Sequence, residues 1–260
     1  MWATTSTSAL VRSLSVHRAA GTVILAMDVS GSMGANDVAP SRLAAAQHAA
    51  LSFIKAQPDS VDIGVVAFEQ GALTIARPNG DHTDAEAAIG RLAVTGGTSL
   101  GSAIIASLSA ITGRPVQVGR DGTVPDIGFW PSATILMFSD GQDQGEGVKT
   151  GTGAAAAEKA GVHIDTIGVG TTAGATVNVD GYRLHTALDE QTLRSISQTT
   201  GGTYHPASNA DELNGVASTI NLRLTVAKQQ VPLAGAFIAL ALALLAVGAV
   251  LTIFRSGRVI

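Results

Sequence analysis

The spacing of apolar and polar residues divides most of this chain into two kinds of segment, one typical of strands and one typical of helices. Two short apolar runs, 22–27 and Ala133–Ser139, have the length and composition of strands that are buried on both faces. Elsewhere the apolar spacing favours helices, as over 41–56, where Ser41 follows Pro40 and can cap the first turn. Strands that alternate with helices predict an α/β fold with a doubly wound, mostly parallel sheet.

The same pattern predicts the remaining elements. We expect strands at 61–68, 72–76, 162–169 and 203–205, a small hairpin over 176–183, and helices at 83–92, 99–111, 152–160, 188–200 and 209–222. The strands at 61–68 and 72–76 flank Glu69-Gln70-Gly71 and form a hairpin, so one edge strand of the sheet is antiparallel. Residues 113–132 carry Gly, Pro and Asp without a period and form a loop.

Composition agrees with this fold and excludes several kinds of site. Hydrophobic residues make up 46% of the chain and aromatic residues 4%, so the core consists mainly of small aliphatic side chains, which suit helices on a parallel sheet. The chain has no cysteine, which excludes disulfides, thiolate zinc sites and cysteine nucleophiles. The net charge of −4 and the scattered Lys and Arg residues argue against a nucleic-acid surface.

The apolar excess is concentrated near the C-terminus. Residues 233–254 form a stretch of 22 residues without a charge. As a helix this stretch reaches about 33 Å, enough to cross a hydrocarbon layer of about 30 Å. We therefore predict one transmembrane helix, preceded by a linker at 223–232 and followed by a short basic tail at 255–260.

The side of the membrane is less strongly indicated. Basic residues flank the predicted span almost equally, with Arg223 and Lys228 before it and Arg255 and Arg258 after it. Residues 1–20 are Ser/Thr-rich, are expected to be a flexible lead-in, and lack the apolar region of a signal peptide. These features slightly favour a cytoplasmic position for the large domain.

Three segments place oxygen-bearing side chains where strands end or helices begin. Asp28, Ser30 and Ser32 follow the first buried strand, Asp140 follows the second, and Thr98 precedes a helix. Each segment has a simpler explanation as a helix cap or a turn. Together, however, two carboxylates and three hydroxyls at one rim of the sheet form an all-oxygen set that suits Mg²⁺ or another hard divalent cation.

The spacing Asp28-x-Ser30-x-Ser32, followed by Thr98 and by Asp140, resembles the metal-ion-dependent adhesion motif of von Willebrand factor A domains. This resemblance covers residues 21–222 and implies a six-stranded central sheet flanked by helices. It also implies that Ser30, Ser32 and Thr98 coordinate the metal directly, while Asp28 and Asp140 act largely through water. An Asp or Glu of a protein partner would complete the coordination, so the resemblance implies binding rather than catalysis.

The whole chain is also similar to bacterial membrane proteins of the BatA type, which carry such a domain. The similarity includes Val-Ser-Gly-Ser-Met at 29–33, Thr-Gly-Gly-Thr-Tyr at 200–204 and the C-terminal apolar span. It implies a membrane protein that belongs to a complex with an AAA+ ATPase. Proteins of this type usually have transmembrane segments before the domain as well.

Two alternatives to metal-dependent adhesion remain. The pattern G-x-S-x-G at 97–101 is that of the serine nucleophile in α/β-hydrolases. Ser99 could then act with Asp140 or Asp165 and with His185 or His205, although 91–95 is a poor strand and the six histidines show no metal-binding spacing. In the second alternative, the domain is a protein-binding scaffold that does not use its metal site.

Overall fold

The computed structural model describes residues 21–144, 147–179 and 182–219, together with Leu245 and Val250. The predicted lead-in at 1–20, linker at 223–232 and basic tail at 255–260 lie outside this part of the chain, as does the predicted span at 233–254 apart from Leu245 and Val250. Among the described residues, no helix combines the length and the apolar character needed to cross a bilayer.

Strands and helices alternate along the domain in the predicted order. The strands are β1 (Gly21–Asp28), β2 (Val61–Phe68), β3 (Ala72–Asn79), β4 (Ala133–Ser139), β5 (His163–Val169), β6 (Ala175–Val179), β7 (Tyr182–Thr186) and β8 (Tyr204–Ala207). The helices are α1 (Arg42–Ala56), α2 (Thr83–Gly90), α3 (Leu100–Thr112), α4 (Thr150–Lys159), α5 (Glu190–Thr200) and α6 (Ala210–Thr219), and a short 3₁₀ turn covers Gly31–Gly34. All of these elements belong to one compact unit, Ala19–Val226.

Six strands form the main sheet in the order β3-β2-β1-β4-β5-β8. Every neighbouring pair in it is parallel except β2 and β3, which confirms the predicted antiparallel edge strand. The strands β6 and β7 form a separate antiparallel hairpin. Because β1, β2, β4 and β5 run in the same direction, the segments that follow them emerge at one edge of the sheet, which we call the carboxyl edge.

Alternation along the central strand explains the helices on both faces of the sheet. In β1, Val23, Leu25 and Met27 belong to one buried cluster, while Ile24 and Ala26 belong to another. The first cluster contains side chains from α1, α2 and α6, and the second contains side chains from α3, α4 and α5. A strand buried on both faces needs apolar residues at successive positions, which is why β1 and β4 are continuous apolar runs.

Local capping accounts for the differences between the predicted and observed starts of α3 and α5. Ser99, expected within a helix, instead caps α3, because its Oγ accepts a hydrogen bond from Ser102 N. Likewise, Asp189 accepts from Thr192 N, so α5 begins at Glu190 rather than at residue 188. Ser41 caps α1 as predicted, accepting from Ala44 N at 3.2 Å.

Candidate metal site at the carboxyl edge

The first loop of the site follows β1 and is organised by Asp28. This carboxylate is completely buried. Its Oδ1 accepts a hydrogen bond from Ser30 N at 2.9 Å, and its Oδ2 accepts from Ser139 Oγ at 2.5 Å. Ser30 Oγ and Ser32 Oγ lie 3.0 Å apart, so both hydroxyls turn to the same side of the loop. The buried Asp28 therefore holds its own loop and the end of β4 together.

The loop before α3 joins this group through the backbone. Gly31 N donates to Gly96 O at 2.9 Å, which binds this loop to the one after β1. Thr98 O accepts from Gln144 N at 3.1 Å, which binds it to the segment after β4. Thr98 is itself buried. The loop that carries Thr98 is thus fastened between the two loops that carry the carboxylates.

Asp140 completes the group from the end of β4, and it is also completely buried. Its Oδ2 accepts from Arg42 Nη1 at 2.8 Å and from Thr186 Oγ1 at 3.2 Å, and its Oδ1 accepts from Gln142 N at 3.2 Å. A side-chain hydrogen bond also joins it to Ser32. The structure therefore brings all five predicted residues into three adjoining loops.

Burial dominates the electrostatics of the two carboxylates. It raises the pKa of Asp28 to about 7, and the negative charge of Asp140 acts in the same direction, against the hydrogen bonds from Ser139 and Ser30. Burial also raises the pKa of Asp140, although the hydrogen bond with Ser32 and the charge of Arg42 oppose this effect. A cation beside these two buried carboxylates would stabilise their ionised forms.

The donor set fits a hard cation. Within the described ranges, no three side chains of the His, Asp or Glu type come together as a metal-binding cluster. Beside the two carboxylates, the oxygen donors at the carboxyl edge are the hydroxyls of Ser30, Ser32 and Thr98. Such an all-oxygen set suits Mg²⁺, which prefers oxygen ligands and often retains water.

Sequence analysis missed the most highly connected residue of the site. Arg42, the first residue of α1, is completely buried and makes ion pairs with Asp37 and Asp140, both at 2.8 Å. A signal for it exists in the sequence, because Arg42 lies three, four and seven positions before Ala45, Ala46 and Ala49 on the buried face of the helix. A charged residue on such a face requires a partner in the interior.

The geometry does not support the serine hydrolase. Ser99 is buried, caps α3 and donates from its Oγ to Ser102 Oγ at 2.8 Å. No strand leads into it, since 91–99 is irregular, whereas a nucleophile elbow joins a strand directly to a helix. Asp165 accepts from Thr203 N, and His185 is exposed on β7. The G-x-S-x-G pattern is therefore a capped helix start.

Comparisons with known proteins agree with this architecture. A family model described as the von Willebrand factor type A domain matches residues 23–142. UPF0353 proteins from Mycobacterium marinum and Mycobacterium leprae are 31% and 32% identical over 216 residues, which cover 80% of this chain and 62% of each relative. The chain thus matches less than two thirds of the length of these relatives.

Solved structures share the fold. An aerotolerance-related membrane protein from Bacteroides fragilis has a TM-score of 0.63 and 23% identity, covering 78% of this chain and 98% of that one. The BatB protein from Bacteroides thetaiotaomicron has a TM-score of 0.60 and 23% identity, covering 76% of this chain and 100% of that one. The family model and the sheet order show that this chain carries a von Willebrand factor type A domain, and its similarity to the UPF0353 proteins extends over 80% of the chain.

Proposed function

We propose that this domain binds a protein partner through a divalent cation, Mg²⁺ in the first instance, held at the carboxyl edge by Asp28, Ser30, Ser32, Thr98 and Asp140. Von Willebrand factor A domains commonly mediate protein–protein interaction. One observation supports metal-dependent binding. Two buried carboxylates, Asp28 and Asp140, lie in loops that also hold the paired hydroxyls of Ser30 and Ser32. Burial raises the pKa of Asp28 to about 7.

The family resemblance assigns a role to each of the five side chains. As the family resemblance implies, Ser30, Ser32 and Thr98 would contact the metal directly, while Asp28 and Asp140 would act through water. Because neutral ligands leave the bound ion electron-poor, the ion can coordinate one further carboxylate from outside the domain. An Asp or Glu side chain of the partner would supply that carboxylate.

Exposed apolar side chains favour a protein over a small anion as the partner. Leu73, Val94 and Leu184 are 67%, 42% and 51% exposed, respectively. Leu73 lies at the start of β3, Val94 in the loop before α3 and Leu184 on the β6–β7 hairpin, all at the carboxyl edge. A partner that contacts these side chains around its acidic residue would bury apolar surface as well as form the metal contact.

We also propose that residues 233–254 anchor the chain in a membrane as a single-pass helix. The support is the 22-residue stretch without a charge. The resemblance to BatA-type proteins further suggests a membrane complex that includes an AAA+ ATPase.

The decisive experiment is affinity capture from a detergent extract with the full chain as bait. We expect a partner that is retained with Mg²⁺, released by EDTA and lost in Asp28→Ala. Asp59→Ala, which removes an exposed carboxylate before β2, is the matched control and should retain the partner. Capture that is indifferent to EDTA and to Asp28→Ala would instead support a metal-independent scaffold.

A further inference from the structure

Arg42 is a buried cation enclosed by two carboxylates. Its Nε and Nη2 donate to the two oxygens of Asp37, each at 2.8 Å, in a bidentate pair. Its Nη1 donates to Asp140 Oδ2, also at 2.8 Å. Asp140 is one of the five proposed metal-site residues, so the guanidinium and the proposed metal would share one carboxylate.

The same guanidinium links the site to the segments after β5. Nη1 also donates to Thr186 Oγ1 at 3.1 Å, at the end of β7. Asp37 Oδ2 accepts from both the backbone N and the Oγ1 of Thr171, each at 2.9 Å. A Cβ placed on Gly170 would lie 2.8 Å from Arg42 Nε, so the chain closes tightly over the guanidinium. Arg42 is therefore held in one position by surrounding groups.

The charges of this part of the molecule do not balance. Arg42 pairs with Asp37 and Asp140, and Asp28 adds a third carboxylate at the proposed metal site, so two net negative charges remain when all four groups are ionised. A divalent cation would neutralise these two charges. Without Arg42 a third negative charge would remain and would oppose the approach of a partner's carboxylate.

We infer that Arg42 is a positioning residue of the metal site, with two effects. It holds Asp140 in place before metal binds, and it weakens metal binding by neutralising part of the charge that attracts the cation. The inference rests on the proposed metal-dependent function. It extends that function, because it makes the metal affinity of the site depend on Arg42, which lies outside the motif.

Two changes in this network should shift metal affinity in opposite directions. Arg42→Met removes a positive charge and should tighten Mg²⁺ binding about tenfold or more. Asp37→Asn removes a negative charge and leaves Arg42 to act on Asp140 alone, so it should weaken Mg²⁺ binding about tenfold. A purely structural role would predict weaker binding in both variants.

The test is a calorimetric titration of the full chain in detergent with Mg²⁺, together with unfolding temperatures measured in EDTA. In EDTA, Arg42→Met should unfold several degrees below the wild type, because it leaves two buried carboxylates without their cation. Arg42→Lys keeps the charge but cannot form the bidentate pair with Asp37, so its Mg²⁺ affinity should lie nearer to that of the wild type than that of Arg42→Met. Arg194→Met, at an exposed ion pair with Glu190, is the matched control and should change neither quantity.

The outcomes separate this inference from the proposed function. If the wild type binds no Mg²⁺, the proposed function fails and the inference fails with it. If the wild type binds Mg²⁺ but Arg42→Met binds it more weakly, or Asp37→Asn binds it unchanged, only the role of Arg42 is overturned. If Arg42→Met does not fold, Asp37→Asn and Arg42→Lys carry the test, and unchanged affinity in Asp37→Asn overturns the inference.

Discussion

Asp28 and Asp37 show how their surroundings determine the behaviour of two carboxylates in one network. Asp28 has hydroxyl and backbone partners but no cation beside it, and burial raises its pKa to about 7. Burial would also raise the pKa of Asp37, but hydrogen bonds from Arg42 and Thr171 and the charge of Arg42 lower it to about 2. Of these two carboxylates, Asp28 is the one proposed for the metal site, and it has no protein cation beside it.

This difference predicts how the stability of the metal-free protein depends on pH. Because the pKa of Asp28 is about 7 in the folded state and 3.8 in the reference state, the folded state binds its proton more tightly. The stability from this group is complete below pH 3.8 and is lost as the pH rises through about 7. In EDTA, the free energy of unfolding from urea titrations should therefore fall from about pH 4 to just above pH 7.

The matched variant for this measurement is Asp28→Asn. It removes the titrating group and should flatten the decline over the same pH range. An equally steep decline in Asp28→Asn would show that other groups cause it.

Binding of Mg²⁺ should stabilise the folded protein. A ligand that binds only the folded state stabilises it by about 2.7 kcal/mol at a concentration one hundred times its Kd. We expect Mg²⁺ to raise the free energy of unfolding of the wild type in this way, and to have no such effect on Asp28→Asn. Asp59→Asn, at the exposed carboxylate, should respond like the wild type, and a full Mg²⁺ response in Asp28→Asn would exclude Asp28 from the site.

The ends of the helices and strands determine where the side chains of the site lie. The start of α1 illustrates this, because Ser41 caps the helix and Arg42 is its first residue. Capping by Ser41 Oγ satisfies a backbone N–H that the helix cannot satisfy itself. Because Arg42 is the next residue, the cap also determines the position from which the Arg42 side chain leaves the helix.

Ser41→Ala should destabilise the domain by about 1 kcal/mol through loss of this cap. Ser52→Ala, at an exposed position within the same helix, should be neutral or slightly stabilising because alanine has the higher helix propensity. Chemical denaturation of both variants measures the difference, and equal stabilities would show that the cap contributes little.

Helix α3 approaches the start of α4 at Gly101. A Cβ on Gly101 would lie 2.0 Å from the backbone oxygen of Val148. This glycine belongs to the G-x-S-x-G pattern, so its presence is explained by close packing between segments rather than by catalysis.

Gly101→Ala should therefore destabilise the domain by about 1–3 kcal/mol, because the clash is with backbone that cannot rotate away. Gly151→Ala is the matched control, since a Cβ there meets nothing within 4 Å, and it should stabilise α4 by about 0.5–1 kcal/mol. Urea titrations compare the two variants, and a neutral Gly101→Ala would contradict the close approach.

At the scale of the whole molecule, topology concentrates function at one edge of the sheet. The proposed metal residues follow β1 and β4, which are hydrogen-bonded neighbours, and Thr98 precedes α3 at the same edge. Parallel strands connected through helices place such loops together, as is general for ligand sites in open α/β sheets. The opposite edge of the sheet carries none of the five proposed metal residues.

The anchoring proposal is also tested at this scale. The double substitution Leu244→Arg with Leu245→Arg should abolish retention in the membrane fraction after alkaline extraction. Each arginine at the centre of a span costs about 2.5–3.5 kcal/mol. The control is Arg255→Gln, beyond the span, which should remain membrane-bound, and a double variant that also remained would contradict insertion.

The sequence alone determined the order of strands and helices and the five residues proposed for the metal. Patterns of apolar residues are local, so the continuous runs of β1 and β4 and the cap at Ser41 could be recognised without a structure. Asp28, Ser30 and Ser32 could be recognised because their spacing lies within one loop. The predicted starts of α3 and α5 were wrong, because each start depends on which side chain accepts a backbone hydrogen bond.

Only the tertiary structure decided which distant groups meet. The ion pair of Arg42 with Asp140 joins residues 98 positions apart. No local pattern encodes such a pair, because it arises when α1 packs on the sheet and β4 ends beside it. The structure also decided between the two interpretations of Ser99, since a cap and a nucleophile share the same sequence but differ in burial and in the element before them.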